Sequence, residues 1–442
     1  MARQRRRRLF GTDGVRGIAG IDVTAALALA LGRAAVLQSA VASPRVLVVR
    51  DTRESGEMLE AAIAAGLASA GAEVLLGGVL PTPAASLLIR RHGLDLGVVL
   101  SASHNVYTDN GIKFFGADGF KLSDEREAAI EEHLEDDSLG RGAVGRIRTL
   151  HAATADYVRD LHQRFQALRL DGLDVLLDCA NGATHQVAPQ IFERLGARVA
   201  TIAVDPDGRN INAGCGSTHI ELLAAEVVRG GHDIGFAFDG DGDRVLAVDR
   251  DGALVDGDEL LTLIALHLLE EGRLPRNGIA ITVMTNFAIV SALEAAGIEV
   301  ATTAVGDRYV LEALRERGFA LGGEQSGHIL ELGFAPSGDG IASALLALEA
   351  LGGRDLRERP RIAKLPQTLV NVAVGDRTAL ESARPVHNAV GRESAALAGR
   401  GRVLVRPSGT EPVVRVMVEA PSAEEAQAVC GRIVAVIEAE LR

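Results

Sequence analysis

The sequence has no tryptophan, three tyrosines and eleven phenylalanines, so aromatic residues make up only 3% of its 442 positions. A core must then be built from Ala, Val, Leu and Ile, which suits layered α/β architecture. Cysteine is also scarce. Cys179, Cys215 and Cys430 are scattered without metal-site or disulfide spacing and read as reduced thiols. Charges break the apolar stretches well short of a membrane span, and no charged-then-apolar leader opens the sequence. A cytoplasmic protein without membrane contact is therefore expected. Basic residues are outnumbered, 46 Lys and Arg against 59 Asp and Glu, and the net charge of -13 argues against nucleic acid as a partner. The run Arg5 to Arg8, with Arg3 before it, stands alone and reads as a solvated tail.

What is present is enough apolar sequence, 47% of 442 residues, for three or four domains. Segments 25–37 and 60–70 are Ala-rich and helical in composition. A weak repeat runs through the chain: strands near 46–49, 175–177 and 279–284 each lead into helical sequence and then a second strand. Those second strands end in three polar loops, Ser101-Ala102-Ser103-His104-Asn105, Asp239-Gly240-Asp241-Gly242-Asp243-Arg244 and Gly323-Glu324-Gln325-Ser326-Gly327-His328. Ligands of open α/β sheets gather beyond the carboxyl ends of strands, so the three loops are expected to converge on one cleft. After Gly375 the pattern becomes a hairpin, 403–406 and 413–418, around Pro407-Ser408-Gly409-Thr410-Glu411-Pro412, followed by an Ala- and Glu-rich helix. The expected architecture is three similar mixed α/β domains, 1–155, 156–255 and 256–368, plus a C-terminal α+β domain, 369–442, around a central cleft.

Asp239, Asp241 and Asp243 place three hard oxygen donors in five residues, separated by glycines that let the backbone turn tightly. Alone, the pattern is equally an acidic surface turn. An EF-hand would need Gly and Glu where Arg244 and Arg250 stand, which disfavours calcium sensing; as a site, three carboxylates would leave octahedral positions for water and a phosphate oxygen, as magnesium is usually held. Ser103 follows a strand at 97–100; a serine there is usually a turn residue, so its meaning depends on the other loops. Lys113, among apolar strand residues, is a phosphate cation or proton carrier if it faces the cleft. The glycine-rich segment Phe10-Gly11-Thr12-Asp13-Gly14-Val15-Arg16-Gly17 and the two arginines Arg406 and Arg415 around Ser408, Gly409 and Thr410 are suited to phosphate.

Together and in this order, from Phe10 to Arg415, these motifs resemble the α-D-phosphohexomutase superfamily. The opening segment, Val305-Gly306-Asp307-Arg308-Tyr309-Val310, Gly-Glu-Gln-Ser-Gly-His and Arg-Pro-Ser-Gly-Thr-Glu-Pro are similar to its phosphoglucosamine mutase branch. The resemblance implies an isomerase that interconverts glucosamine 6-phosphate and glucosamine 1-phosphate, feeding UDP-N-acetylglucosamine synthesis. It implies a phosphoserine at Ser103, one Mg2+ per subunit held by Asp239, Asp241, Asp243 and the Ser103 phosphate, and glucosamine 1,6-bisphosphate as intermediate and activator. Arg16, Lys113 and Arg244 would surround the transferring group. Glu324 and Ser326 would bind sugar hydroxyls, Gly306, Asp307 and Arg308 would form a further substrate loop, and Arg406, Ser408, Gly409, Thr410 and Arg415 would grip the other phosphate. His328 and Lys113 are both candidates for proton transfer, while His104 is expected to orient the serine loop. A homodimer is compatible with this reading.

One residue departs from the family pattern: Val106 stands where proline usually follows Ser-His-Asn, so a less rigid serine loop is expected. The nearest alternative function is a phosphomannomutase or phosphoglucomutase with the same chemistry. Gln325 argues mildly against it, because those relatives more often carry Met there. A noncatalytic sugar-phosphate binding protein is the alternative of a different class, opposed by retention of the serine and all three aspartates.

Overall fold

The computed structural model describes residues 9–11, 13–39, 41–134, 144–408 and 412–441. The N-terminal arginine run, Thr12, Gly409 and Thr410 lie outside the described residues. Four β-sheets follow one another along the chain. The first has six strands in the order Val15–Ile18, Asp109–Gly116, Leu96–Leu100, Arg45–Arg50, Glu73–Val79 and Ile147–Thr149. The second runs Leu254–Val255, Val245–Asp249, Ile234–Phe238, Asp174–Asp178 and Arg198–Ile202, and the third Glu299–Thr303, Gly278–Thr282, Leu321–Gly323 and Ile329–Glu331.

These three sheets share one device that the repeat only hinted at. In each, a buried parallel strand turns directly into an antiparallel neighbour: Leu96–Leu100 into Asp109–Gly116, Ile234–Phe238 into Val245–Asp249, and Leu321–Gly323 into Ile329–Glu331. The three polar loops are the connections at those turns, at the carboxyl ends of parallel strands, where such sheets bind ligands. The strand starting at 278 ends at Thr282, short of the expected 284, because Thr282 Oγ1 accepts from Met284 N at 3.2 Å and turns the chain.

Side chains of a strand alternate between faces. Leu47, Val49 and Val99 point into a core that also contains Leu177, Phe236, Ile281 and Leu345. Val46, Val48 and Val98 point the other way, against Leu31, Leu59 and Ile63 of the helices Ala25–Leu37 and Ser55–Ser69. The first three units therefore share apolar packing and cannot part without exposing it, at about 1.5–3 kcal/mol per large buried side chain.

The fourth unit has its own core, in which Val414, Val416 and Val418 meet Val429, Ile433 and Ile437 of the helix Ala423–Leu441. Its sheet is antiparallel, with Val413–Glu419 between Gln367–Ala373 and Arg402–Pro407. The first of these strands precedes Gly375, where the sequence pattern changes, and the expected boundary at 368/369 falls inside it. Four of the seven residues of the strand Gln367–Ala373 are exposed and its polar and apolar residues are mixed, which hides it from an apolar pattern search. Polar contacts join this unit to the third: buried Glu419 accepts from Asn286 Nδ2 at 3.2 Å and Phe287 N at 2.9 Å, and Arg402, whose Nε pairs with Glu419 at 2.8 Å, donates from Nη2 to Thr285 O. No helix among the described residues is long and apolar enough to cross a membrane.

Candidate active site

The strand Leu96–Leu100 delivers Ser103 to the junction of the first and second units, in a left-handed conformation with φ 52° and only 2% exposed. A non-glycine residue held there is strained unless its surroundings fix it, and such strain gathers at functional sites. The fixing residue is Arg53, which is wholly buried. Its Nη2 donates to Ser103 O and Asn105 O, each at 2.9 Å, and its Nη1 to Asp109 O at 3.0 Å and to Val106 O. Asp51 balances the guanidinium through Oδ2 at 2.8 Å from Nε and accepts from Ser101 Oγ at 2.6 Å. From the second unit, Asn212 Nδ2 donates to the same two carbonyls, Ser103 O at 2.9 Å and Asn105 O at 3.0 Å. Side chains of both units thus hold the carbonyls of the loop in which Val106 stands in place of proline. Neither Arg53 nor Asn212 was legible as a site residue in the sequence; the only signal was a polar Asp-Thr-Arg segment at another strand end.

Ser103 Oγ donates to Asp239 Oδ2 at 2.5 Å. Asp239, Asp241 and Asp243 are all buried, with one carboxylate oxygen of each within 4.8 Å of the others. Gly240 lets the two loops touch, since a Cβ there would lie 2.6 Å from Ser103 O, and Gly242 takes φ 71°. Burial and then the neighbouring Asp243 and Asp241 push the Asp239 carboxyl well above its usual range. Asp241 Oδ1 and Asp243 Oδ1 are buried without a hydrogen-bond partner. Orphaned carboxylate oxygens among mutually repelling acids fit a hard divalent cation.

Cations ring this centre. Lys113 Nζ, 1% exposed, donates to Asp241 Oδ2 at 2.9 Å and lies 3.2 Å from Asp13 Oδ2. Burial works against its charge, but Asp13 and Asp241 outweigh that and raise its pKa. Thr82 Oγ1 holds the same Asp241 oxygen at 2.6 Å. Arg244 N donates to Asp239 Oδ1 at 3.2 Å, while its Nε and that of Arg16 are buried without hydrogen-bond partners; Arg16 pairs with Asp13.

The two histidines differ. His104 Nδ1 lies 3.4 Å from Ser103 Oγ, and burial, then Arg244 and Arg16, lower its pKa to about 4. His328 Nδ1 lies 3.6 Å from Asp243 Oδ1; burial opposes its charged form, but Asp243, Asp307 and Glu324 raise it to about 8.

The third loop is less fully directed at this centre. Glu324 Oε1 accepts from Gly306 N at 3.0 Å, which ties the two loops together, and Ser326 Oγ is buried without a partner. Gln325 turns away and donates to Asp256 Oδ2 at 3.1 Å. Asp307 and Arg308 line a cavity of about 150 Å³ with Lys113 and His328. Their charges are already engaged, Asp307 by Lys121 at 2.5 Å and Arg308 by Asp124 and Glu312. In the fourth unit Arg406 and Arg415 are direct cross-strand partners, and burial together with Arg415 lowers the pKa of Arg406. Ser408 is 3% exposed and its carbonyl accepts from Arg377 Nη1 at 2.7 Å, a brace absent from the sequence reading.

Four family models match in succession. Phosphoglucomutase/phosphomannomutase alpha/beta/alpha domains I, II and III match residues 7–141, 155–252 and 256–369, and the C-terminal domain 369–436. Phosphoglucosamine mutase of Moorella thermoacetica is 51% identical over 95% of this chain and 96% of its own. That of a Nocardioides species is 49% identical over 98% and 99%. Among solved structures, a phosphoglucomutase/phosphomannomutase family protein of Burkholderia thailandensis superposes with TM-score 0.82 at 25% identity, over 98% of this chain and 97% of that one. The Aspergillus fumigatus N-acetylphosphoglucosamine mutase bound to GlcNAc-6P and magnesium shares the fold, with TM-score 0.69 at 18% identity over 100% of this chain and 97% of that one. Relatives named phosphoglucosamine mutase, about half identical along nearly the whole of this chain, and four domain models matched in succession make this chain a member of the phosphoglucosamine mutase family within the α-D-phosphohexomutases.

Proposed function

We propose that this enzyme interconverts glucosamine 6-phosphate and glucosamine 1-phosphate through phosphorylated Ser103 and a glucosamine 1,6-bisphosphate intermediate. The observation that carries this reading is Ser103 Oγ at 2.5 Å from Asp239 within a buried carboxylate triad. In the unmodified enzyme Asp239 Oδ2 accepts a hydrogen bond from the Ser103 hydroxyl; in the phosphorylated one the phosphoryl oxygens would take that side. Asp239, Asp241 and Asp243 would hold one Mg2+, which when bound offsets phosphoryl negative charge.

Arg16, Lys113 and Arg244 surround the same place and would stabilise the charge of the transferring group. In the first half-reaction a sugar hydroxyl oxygen attacks phosphorus, the bond from phosphorus to Ser103 Oγ breaks, and the hydroxyl proton must leave. Lys113 is held charged between two carboxylates, which suits it to charge stabilisation. His328, which lines the same cavity as Lys113 and has its ring beside Asp243, is the candidate to carry the proton of the accepting and leaving oxygens. The bisphosphate then turns end for end and returns its other phosphate to Ser103. Arg406, Ser408 and Arg415, with Gly409 and Thr410, would grip the idle phosphate throughout, and Glu324 and Ser326 the sugar hydroxyls.

The substrate is a small sugar phosphate met in the cytoplasm, and a homodimer is compatible with this role. The test is glucosamine 1-phosphate formation from glucosamine 6-phosphate after priming with sugar bisphosphate, for wild type and Ser103→Ala, with Mg2+ and after chelation. Turnover lost in both the variant and the chelated enzyme supports the reading. Primed wild type that converts only glucose or mannose phosphates overturns the sugar assignment.

A further inference from the structure

Asp13 lies among three cations: it pairs with Arg16, and its oxygens lie 3.2 Å from Lys113 Nζ and 2.5 Å from Lys121 Nζ. Lys121 also lies 2.5 Å from Asp307 Oδ2. With Lys113 bonded to Asp241, five side chains form one line of alternating charge, Asp241, Lys113, Asp13, Lys121 and Asp307. The line starts in the metal-binding loop, crosses the first unit and ends at the first residue of the helix Asp307–Arg317 in the third. Local structure presents Lys121 for this role. Its backbone forms an antiparallel bridge with Phe115, and the neighbouring Phe120 ring sits under Arg315 at 4.6 Å.

The charges are not sealed in a core. The side chains of Lys121, Asp13 and Asp307 are each about a quarter exposed, and Lys121 and Asp307 line the cavity that also holds Lys113 and His328. Resting on the mutase reading, we infer that Lys121 is a positioning residue for the transfer reaction, setting Arg16 and Lys113 through Asp13 and the 305–308 loop through Asp307. Without its ammonium group, Asp13 has only Arg16 and Lys113 to draw on, and pulls both away from the phosphoryl group they serve. Asp307 meanwhile loses its ion-pair partner, keeps only the Arg308 N–H at 2.8 Å and the field of His328, and bears more strongly on an anionic substrate. The first effect falls on kcat and the second on KM.

The experiment compares wild type, Lys121→Met, Lys121→Arg and Lys121→Met with Asp307→Asn, measuring kcat and KM for glucosamine 6-phosphate well below each thermal midpoint. Lys121→Met is expected to lose kcat on the order of 100-fold, as for a misplaced catalytic group, and to raise KM. Adding Asp307→Asn is expected to return KM toward wild type while kcat stays low, and Lys121→Arg to recover most of kcat. A Lys121→Met enzyme with a lower midpoint but wild-type kcat and KM would make the residue a domain brace only and overturn the inference. So would Lys121→Arg as impaired as Lys121→Met. If Lys121→Met does not fold, Lys121→Gln, which keeps polar N–H donors on a shorter side chain but removes the charge, is read by the same criteria. The wild-type arm tests the sugar assignment separately: if it turns over a neutral hexose phosphate instead, the variants are compared on that sugar.

Discussion

Asn212→Gly isolates the contribution of the second unit to the nucleophile loop. Asn212 has φ 57°, which glycine accepts without strain, so the substitution removes a side chain and leaves the backbone free to keep its shape. That side chain makes two bonds, to Ser103 O at 2.9 Å and Asn105 O at 3.0 Å, while its own Oδ1 has no hydrogen-bond partner. Both carbonyls keep a bond from Arg53 Nη2, so neither is orphaned and the loss is about 1 kcal/mol per bond, about 2 kcal/mol in all. If that energy holds Ser103 Oγ toward Asp239, kcat falls by roughly 10- to 30-fold at about 1.4 kcal/mol per factor of ten. KM is expected to hold, because the bonds lie on the protein side of the serine. The assay is bisphosphate-primed turnover of glucosamine 6-phosphate, with circular dichroism to confirm the fold. A kcat within about twofold of wild type would mean that Arg53 alone fixes the loop and would refute the reasoning. Arg53 itself is a poor probe, since removing it strands buried Asp51, at about 3–5 kcal/mol.

Two further outcomes are expected. Burial, with Asp256 adding to it, raises the Asp258 carboxyl to about 7. Its folded value lies above its unfolded one, so its contribution to stability is full below about pH 4 and is lost as pH rises through 7. Asp258→Asn should therefore gain unfolding free energy relative to wild type between pH 4 and 7 and level off above, by up to about 4 kcal/mol. The Thr285 hydroxyl faces the Asp258 carboxyl, so the new amide has an acceptor ready, and a pH-independent difference in urea melts would count against the assignment. Gln325→Met is expected to leave the preference for glucosamine over mannose phosphate nearly unchanged, because Gln325 bonds Asp256 rather than facing the sugar. A change in the kcat/KM ratio of tenfold or more, the size of a lost substrate contact, would show otherwise.

Much of this protein was legible before any fold was seen, because its chemistry is written in contiguous motifs. Three carboxylates spaced by glycine, a serine at a strand end and arginines beside a glycine-rich turn are each contiguous, none decisive alone but telling in their order along the chain, and the weak repeat of strand, helix, strand and loop pointed to three like units. The largely exposed strand Gln367–Ala373 was missed because its pairing with Val413–Glu419 lies about 45 residues away and its own pattern is mixed. What the tertiary structure alone decided is which groups meet. Ser103 reaches Asp239 across 136 residues, and Lys121 reaches Asp307 across 186. Arg53, Asn212 and Lys121 looked like ordinary polar loop residues, since their partners are carbonyls and carboxylates supplied by distant segments. Gln325 sits in the sugar loop by sequence and faces Asp256 by structure. Local chemistry follows from residue type and spacing; a charge's partner, a carbonyl's donor and a side chain's direction depend on how separate sheets pack, and that packing is set by long-range burial that no single segment contains.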